Sequence, residues 1–441
     1  MVRAVWGSRL GFILAAAGSA IGLGAIWKFP YVTAKHGGGA FLLLFLLIVF
    51  TLGISIMIAE MMVGQIAQKS PVGAYRHFGG RPWALAGYIG VLCGFLILSF
   101  YSVIGGWTIF YLVKSVEGGI LTSDMLQLRQ IFESFITHPV EPLWYHAAFM
   151  AVTASVVLAG VQKGIERISK SLLALLFLLI LVLIVRSLTL PGALEGALYF
   201  LMPDFSKLNA QMLLEAMGLA FFSLSLGMGC MMTYGSYVSN ETSIPRSAAC
   251  VVGLTVAICI LVGLMILPAV FAFGLNPAEG PGLTFIIMPA VFSHMGGGAF
   301  FSVLFFFLLF VAALTSSVSL MEVVTCFFMD EFGLPRLGVA IVMAALMFAV
   351  GIAASLSFGA WRPYTLFGRS FFDLLDYLTS NLMMPFGGIM VTLLAGWKAC
   401  GEIAARLKPE SGIIPRWWPA MKWFCRIIAP LLILLILIRS L

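Results

Sequence analysis

From Gly280 to Met321 the chain runs without a single Asp, Glu, Lys or Arg. Crossing the hydrocarbon of a bilayer as a helix takes about 20 apolar residues. A charge placed mid-bilayer costs on the order of 3 kcal/mol on insertion scales. The same absence of charge recurs in Leu10–Trp27, Ala40–Ala59, Pro82–Val113, Ser171–Val185, Ala216–Asn240, Ser247–Ala278, Leu337–Trp361 and Tyr377–Trp397. Overall 61% of residues are hydrophobic and 10% are charged, against roughly 25% charged in a soluble protein. So little polar surface cannot cover the molecule in water, and lipid must be its solvent.

The runs predict an all-α membrane protein of about eleven transmembrane helices, near 9–30, 39–66, 84–115, 143–162, 170–190, 213–238, 247–274, 298–329, 337–356, 370–398 and 418–439. The first reads as a retained helix, because no small-residue cleavage site follows it. The net charge of +7 reads as topology rather than as nucleic-acid binding, since cytoplasmic loops collect Lys and Arg. Alternating the spans from a cytoplasmic N-terminus puts most basic residues inside, and the mainly acidic segment 117–141 outside, as in a multi-pass inner-membrane protein. Lys422 and Arg426 in the last span are expected to snorkel toward an interface. The seven Cys residues are scattered, with no disulfide framework or metal spacing. None of the five His residues is placed mid-span, and HExxH and GxSxG are absent, which argues against an enzyme.

Ten spans plus one suggest two halves of five in opposite orientation, an inverted repeat. The halves are 1–190 and 191–400, with 401–441 forming a cytoplasmic loop and an extra C-terminal helix. The first span of each half is interrupted by small residues: Gly18-Ser19-Ala20-Ile21-Gly22-Leu23-Gly24 in one, Ser223-Leu224-Ser225-Leu226-Gly227-Met228-Gly229 in the other. Each interior Gly costs a helix about 1 kcal/mol relative to Ala, so unwinding is cheap there. Freed carbonyls can take a cation, and half-helix N-termini can take a carboxylate. Paired interruptions at matching positions are the best sequence pointer to a transporter's binding site. Close helix packing is the plainer use of such glycines. In the eighth span, Thr315-Ser316-Ser317 could back-bond to the preceding turn or offer oxygens to Na⁺.

These motifs resemble the neurotransmitter:sodium symporters. Arg9-Leu10-Gly11-Phe12 through Gly24, Trp27-Lys28-Phe29-Pro30 and Gly37-Gly38-Gly39-Ala40-Phe41 are similar to that family's first helix. Phe221 through Gly227 is similar to its sixth, Leu314-Thr315-Ser316-Ser317 to its eighth, and Phe372-Asp373-Leu374-Leu375-Asp376 to its tenth. The resemblance implies a sodium-coupled symporter working by alternating access. It places one Na⁺ on the carbonyls of Gly18, Ile21 and Ala312 and the hydroxyls of Thr315 and Ser316. It places the substrate carboxylate on the N–H groups of Leu23 and Gly24 and on Tyr101, and the amine on carbonyls of Ala20, Phe222 and Ser225. Ile97, Tyr101, Phe222, Ser225, Met228, Ser316 and Leu320 would line the side-chain pocket, with Ser223 grouped among the substrate-binding residues. Lys28 and Asp376 would form the extracellular gate, and Arg3, Trp6, Tyr237 and Asp330 the intracellular gate. Gly22 stands where monoamine carriers of the family have Asp, which favours a small amino acid, here a neutral hydrophobic one.

The chain departs from the family pattern in two places. Ala25, Ser223 and Leu254 stand where the first sodium site takes Asn, Thr and Asn, so one Na⁺ per substrate is expected. Phe45, Leu219 and Ile258 stand at chloride-site positions, so no chloride site is expected. Glu60 and Glu322 are acids inside apolar runs and leave open a proton-coupled or uncoupled carrier. A non-transporting membrane sensor is the alternative of a different class.

Overall fold

A computed structural model describes residues 4–276, 283–407 and 415–440. Among the described residues there are helices, turns and two isolated β-bridges. The first span is a bent pair, α1 (Arg9–Ala20) and α2 (Gly24–Lys35), which meet at 49°. Then come α3 (Gly39–Ala67), α4 (Arg81–Glu117), α5 (Glu141–Leu158) and α6 (Val161–Leu188). The sixth span is again two pieces, α7 (Ala210–Ser223) and α8 (Cys230–Gly235). It is followed by α9 (Ile244–Ala272), α10 (Gly298–Phe332), α11 (Arg336–Leu356), α12 (Phe371–Lys398) and α13 (Trp418–Leu435). Each predicted span thus has its helix or helix pair. Eight unbroken helices among the described residues are long and apolar enough to cross a membrane.

The ends follow local chemistry. Ser8 caps α1 by accepting from the Gly11 N–H, and Asn209 caps α7 by accepting from Met212. The fourth and fifth boundaries differ from the sequence expectation. The chain turns at Gly160 (φ 85°), and α6 starts at Val161 rather than near 170. The charges of that stretch read as loop, yet they are consumed locally. The Glu166 carboxylate accepts from Gly7 N–H (2.7 Å), Ser8 Oγ (2.9 Å) and Lys170 Nζ (2.7 Å).

The segment 117–141, read as a polar loop, contains a helix, Met125–Thr137, capped by Asp124. Its Phe132 stacks on Phe285 of another short apolar helix, Leu283–Ser293, and Phe285 in turn meets Trp27, Trp107 and Tyr111. That aromatic layer covers the bundle at the Lys28 end.

Within the bundle α10 packs along α4. Inter-helix hydroxyl pairs tie the scaffold, Ser115 to Ser302 (2.8 Å) and Thr153 to Ser317 (2.9 Å). His146 lies in α5 and is fully buried, with Nε2 2.8 Å from Ser102 Oγ, so one histidine does reach the interior. Arg426 keeps its polar head at a partly buried position: its Nε donates to Gly396 O (2.6 Å), and its guanidinium lies over Trp397 and Trp423.

Candidate functional site

Both small-residue segments are helix breaks, and they face each other. α1 stops at Ala20, and Ile21 leaves helical geometry (φ −88°, ψ 66°). Between α7 and α8, Ser225 (φ 53°), Gly227 (φ 80°) and Gly229 (φ 80°) all have positive φ. Ser225 occupies a region that L-residues other than Gly rarely adopt, and its hydroxyl bonds the other break, donating to Ser19 O at 2.9 Å. Gly227 is required twice over. Its φ favours Gly, and a Cβ there would land on the Met384 carbonyl. The buried Glu60 of α3 secures the same break, with Oε1 accepting from the Gly227 N–H at 2.6 Å.

Between the breaks lies a cavity of ≈ 20 Å³ lined by Ala20, Gly24, Ile97, Tyr101, Phe222, Ser225, Met228, Ser316 and Leu320, together with Ser19 and Gly22. That space holds about one water, so any larger solute requires the walls to part. Tyr101 Oη accepts from the Leu23 N–H at 3.1 Å, putting a phenol beside the start of α2. A Cβ on Gly22 would strike Ser316 Oγ and come 2.8 Å from Tyr101 Oη. A side chain at position 22, an Asp included, would require Ser316 and Tyr101 to shift.

Oxygens gather where α1 meets α10. Ser316 Oγ donates to Ser19 O (2.8 Å) and lies 3.3 Å from Gly18 O. Thr315 Oγ1 donates to Ala312 O (3.0 Å), and its Cβ is in close contact with the space beside Gly18. Gly18, Ala312, Thr315 and Ser316 therefore form one cluster next to the Ile21 kink, with the oxygen-only chemistry a hard cation such as Na⁺ takes. At the positions where the resemblance puts the family's first sodium site, Ala25 is buried, Leu254 is partly buried, and the buried Ser223 hydroxyl has no hydrogen-bond partner.

The predicted gates differ. At one end, Trp6 N–H donates to Tyr237 O (3.0 Å), its indole Nε1 to Tyr234 O (3.0 Å), and its ring packs edge-on against both tyrosines. Asp330 accepts from the Ser70 N–H (2.6 Å). Arg3 lies outside the described residues. At the other end, the Lys28 ammonium lies 5.2 Å over the Phe222 ring, and Asp376 accepts from Ser380 Oγ (2.8 Å). No direct ion pair between Lys28 and Asp376 is present among the described residues.

Two sets of residues escaped sequence reasoning. Glu322 stood out as a buried acid without a visible partner. Arg336 supplies it, with Nη1 2.8 Å from Oε2 and Nη2 2.5 Å from Oε1, while Tyr237 Oη donates to Oε1 (2.7 Å). Arg336 also donates to Val157 O (2.8 Å). The pair spans 14 residues and a turn, so no helical spacing announces it. Ser19 and Ser319 were likewise missed, although they meet at 2.7 Å beside the pocket.

Comparison with known proteins agrees with this architecture. The profile of the Sodium:neurotransmitter symporter family matches residues 3–123 and 120–441. An uncharacterized sodium-dependent transporter of Bacillus subtilis is 42% identical over 98% of this chain and 97% of its own length. One from Haemophilus influenzae is 33% identical over 100% of this chain and 98% of its own length. The crystal structure of MhsT in complex with L-phenylalanine superimposes with a TM-score of 0.92 at 43% identity, covering 100% of both chains. The chain is a multi-pass membrane protein, a sodium-dependent transporter that belongs to the sodium:neurotransmitter symporter family.

Proposed function

We propose that this transporter carries a small neutral hydrophobic amino acid together with one Na⁺ by alternating access. The observation that carries the reading is the oxygen cluster of Gly18, Ala312, Thr315 and Ser316 set directly against the pocket between two broken helices. Ser316 belongs to both, so an ion and a solute would share one side chain. The Leu23 N–H and Tyr101 Oη suit a carboxylate at the start of α2, where the helix dipole is also favourable. Ser316 and Tyr101 crowd Gly22 and would oppose a protein carboxylate there, which leaves the solute to bring its own. The remaining wall, Ile97, Phe222, Met228 and Leu320, is apolar, and Met228 can adapt to different side chains. A relative of the same fold was crystallised with L-phenylalanine.

In this reading 1–190 and 191–400 are the two inverted halves, 401–441 adds a loop and the last helix, and the Trp6 end faces the cytoplasm of an inner-membrane protein. Na⁺ would bridge α1 to α10 and hold the Lys28 end accessible. Substrate would enter, α2 and α7 would close over it, and release would follow when the Trp6 contacts part. One ion is favoured because Ala25 and Leu254 supply no side-chain oxygen. Chloride is not expected, because Phe45, Leu219 and Ile258 are buried hydrocarbon. The proton-coupled alternative has less to stand on, since Glu322 is committed to Arg336 and Tyr237 and Glu60 to Gly227.

The test is uptake of labelled amino acids into proteoliposomes under an inward gradient of Na⁺, K⁺ or H⁺ alone. Accumulation with Na⁺ only, a Hill coefficient near one, and loss of about tenfold or more in Na⁺ affinity in Thr315→Ala are expected, a tenfold loss being 1.4 kcal/mol. A coefficient near two would remove the single-ion claim, and accumulation on H⁺ alone would move coupling to the glutamates.

A further inference from the structure

Arg426 lies inside the apolar span of α13, Trp418–Leu435. Beyond it the chain has twelve residues without charge, 427–438, before Arg439. As helix these measure about 18 Å, against about 30 Å of hydrocarbon. With Arg439 at the far interface, Arg426 falls at or below the near head groups rather than in open water. A cation at that depth needs an anion, because a charge in the membrane is expensive unless it is paired.

The protein supplies aromatic rings there and no anion. α12 starts near Asp376 at the Lys28 end and finishes with Trp397 and Lys398 at the Trp6 end. It touches α13 at Gly396, where an added Cβ would lie 2.9 Å from the Arg426 side chain. Both helices widen into a π turn at the contact, Leu394–Lys398 and Phe424–Ile428, a local geometry frequent at functional sites. Arg426 Nε donates to Gly396 O (2.6 Å), and the guanidinium lies 4.7 Å from the Trp397 ring and 5.5 Å from the Trp423 ring. A guanidinium has five N–H donors. The four on its Nη atoms have no acceptor among the described residues. Lys422 lies one turn before Arg426 on the same face of α13. Among the described residues no Asp or Glu pairs with Lys398, Lys422 or Arg426, and Glu402 of the adjoining helix lies 3.7 Å from His77. Trp397 and Trp423 are 57% and 55% exposed, as rings at a membrane interface are.

We propose that Arg426, with Lys398, Lys422 and the two tryptophans, binds the phosphate of an anionic phospholipid in the leaflet at the Trp6 end. The Nε bond and the two rings hold the guanidinium plane, which leaves its Nη edge for a bidentate phosphate. The two lysines add attraction for a head group with net negative charge. A choline head group brings its own cation, which the same cluster repels. The exposed indoles pack along the glycerol and upper acyl chains.

The experiment is native mass spectrometry of the purified full chain with phosphatidylglycerol or with phosphatidylcholine of the same acyl chains. Phosphatidylglycerol is expected to bind about tenfold or more tighter. Arg426→Gln should bring that preference to within about threefold, and Lys398→Gln and Lys422→Gln should each lower it by about threefold. Lys163→Gln, at an exposed position of the same end, should leave it unchanged. Because Arg426→Gln also removes the Gly396 bond, the wild type is mapped as well. Phosphatidylglycerol with a photoactivatable head group should cross-link to residues 396–398 and 422–426. Equal binding of the two lipids, cross-links confined to other segments, or a loss in Lys163→Gln as large as in Arg426→Gln overturns the proposal. Displacement of the lipid by inorganic phosphate alone would make this a site for the free anion, and overturns it too.

Discussion

The two ends of the path between the broken helices are closed by different physics. At the Trp6 end, Trp6 and Tyr237 bond directly, and the Glu322–Arg336 pair sits beneath them with both carboxylate oxygens engaged. Glu322 is wholly buried, and a cavity of ≈ 800 Å³ bounded by Lys69, Arg76, Cys326 and Arg336 opens just beyond it. At the Lys28 end there is no such direct pairing. The Lys28 ammonium rests over an aromatic ring, and Asp376 is satisfied by a serine one turn away. An ion pair at this end, Lys35 with Glu215, is a 2.9 Å contact at a partly exposed position, and the buried His36 ring lies 2.9 Å from the same carboxylate. Exposed pairs contribute about 0–1 kcal/mol, whereas removing one partner from a buried pair costs about 3–5 kcal/mol. The lesson is that this conformation is locked at one end by groups that cannot be left unpaired. The other end is shut by packing and by Lys28 and Asp376, which act on each other without direct contact.

The comparison breaks most readily at Arg336. Arg336→Ala is expected to destabilise the closed Trp6 end by about 3–5 kcal/mol, because Glu322 stays buried without its counter-charge. With the other cysteines replaced, Cys326 at the edge of the large cavity should react faster with a water-soluble thiol reagent. An unchanged rate would mean that the aromatic contacts alone close this end. Tyr237→Phe should act in the same direction by less, about 1.5–3 kcal/mol, as it removes one hydrogen bond to a charged group and keeps the ring against Trp6. The same labelling assay ranks it against Arg336→Ala. The smallest effect is expected at Lys28. Lys28→Met should cost about 1 kcal/mol or less through the lost cation–π contact. Thermal unfolding should barely move, and Asp376→Asn should add little beyond it, because the two groups interact without direct contact. Strong coupling between those two substitutions in a double-mutant cycle would show that the ends are equivalent after all.

How much of this was legible in the sequence follows from how local each signal is. A helix break needs only its own residues: the glycines around Ile21 and around Ser225 announced both breaks, because the propensity cost is paid in place. Span boundaries were misread where charges were consumed nearby, as at Glu166, which looks like loop until Gly7, Ser8 and Lys170 are seen around it. The Arg336 partner of Glu322 and the Ser19–Ser319 contact join residues 14 and 300 positions apart. Nothing in a linear pattern marks such pairs.

The sequence by itself determined the solvent, the number of crossings and the two places where helix must give way, since hydropathy and glycine content act residue by residue. Only the tertiary structure decided which buried acid has a base, which end is bolted, and which hydroxyl gives its proton to which oxygen. Those are questions of distance and direction between helices, and they exist only once the helices are packed.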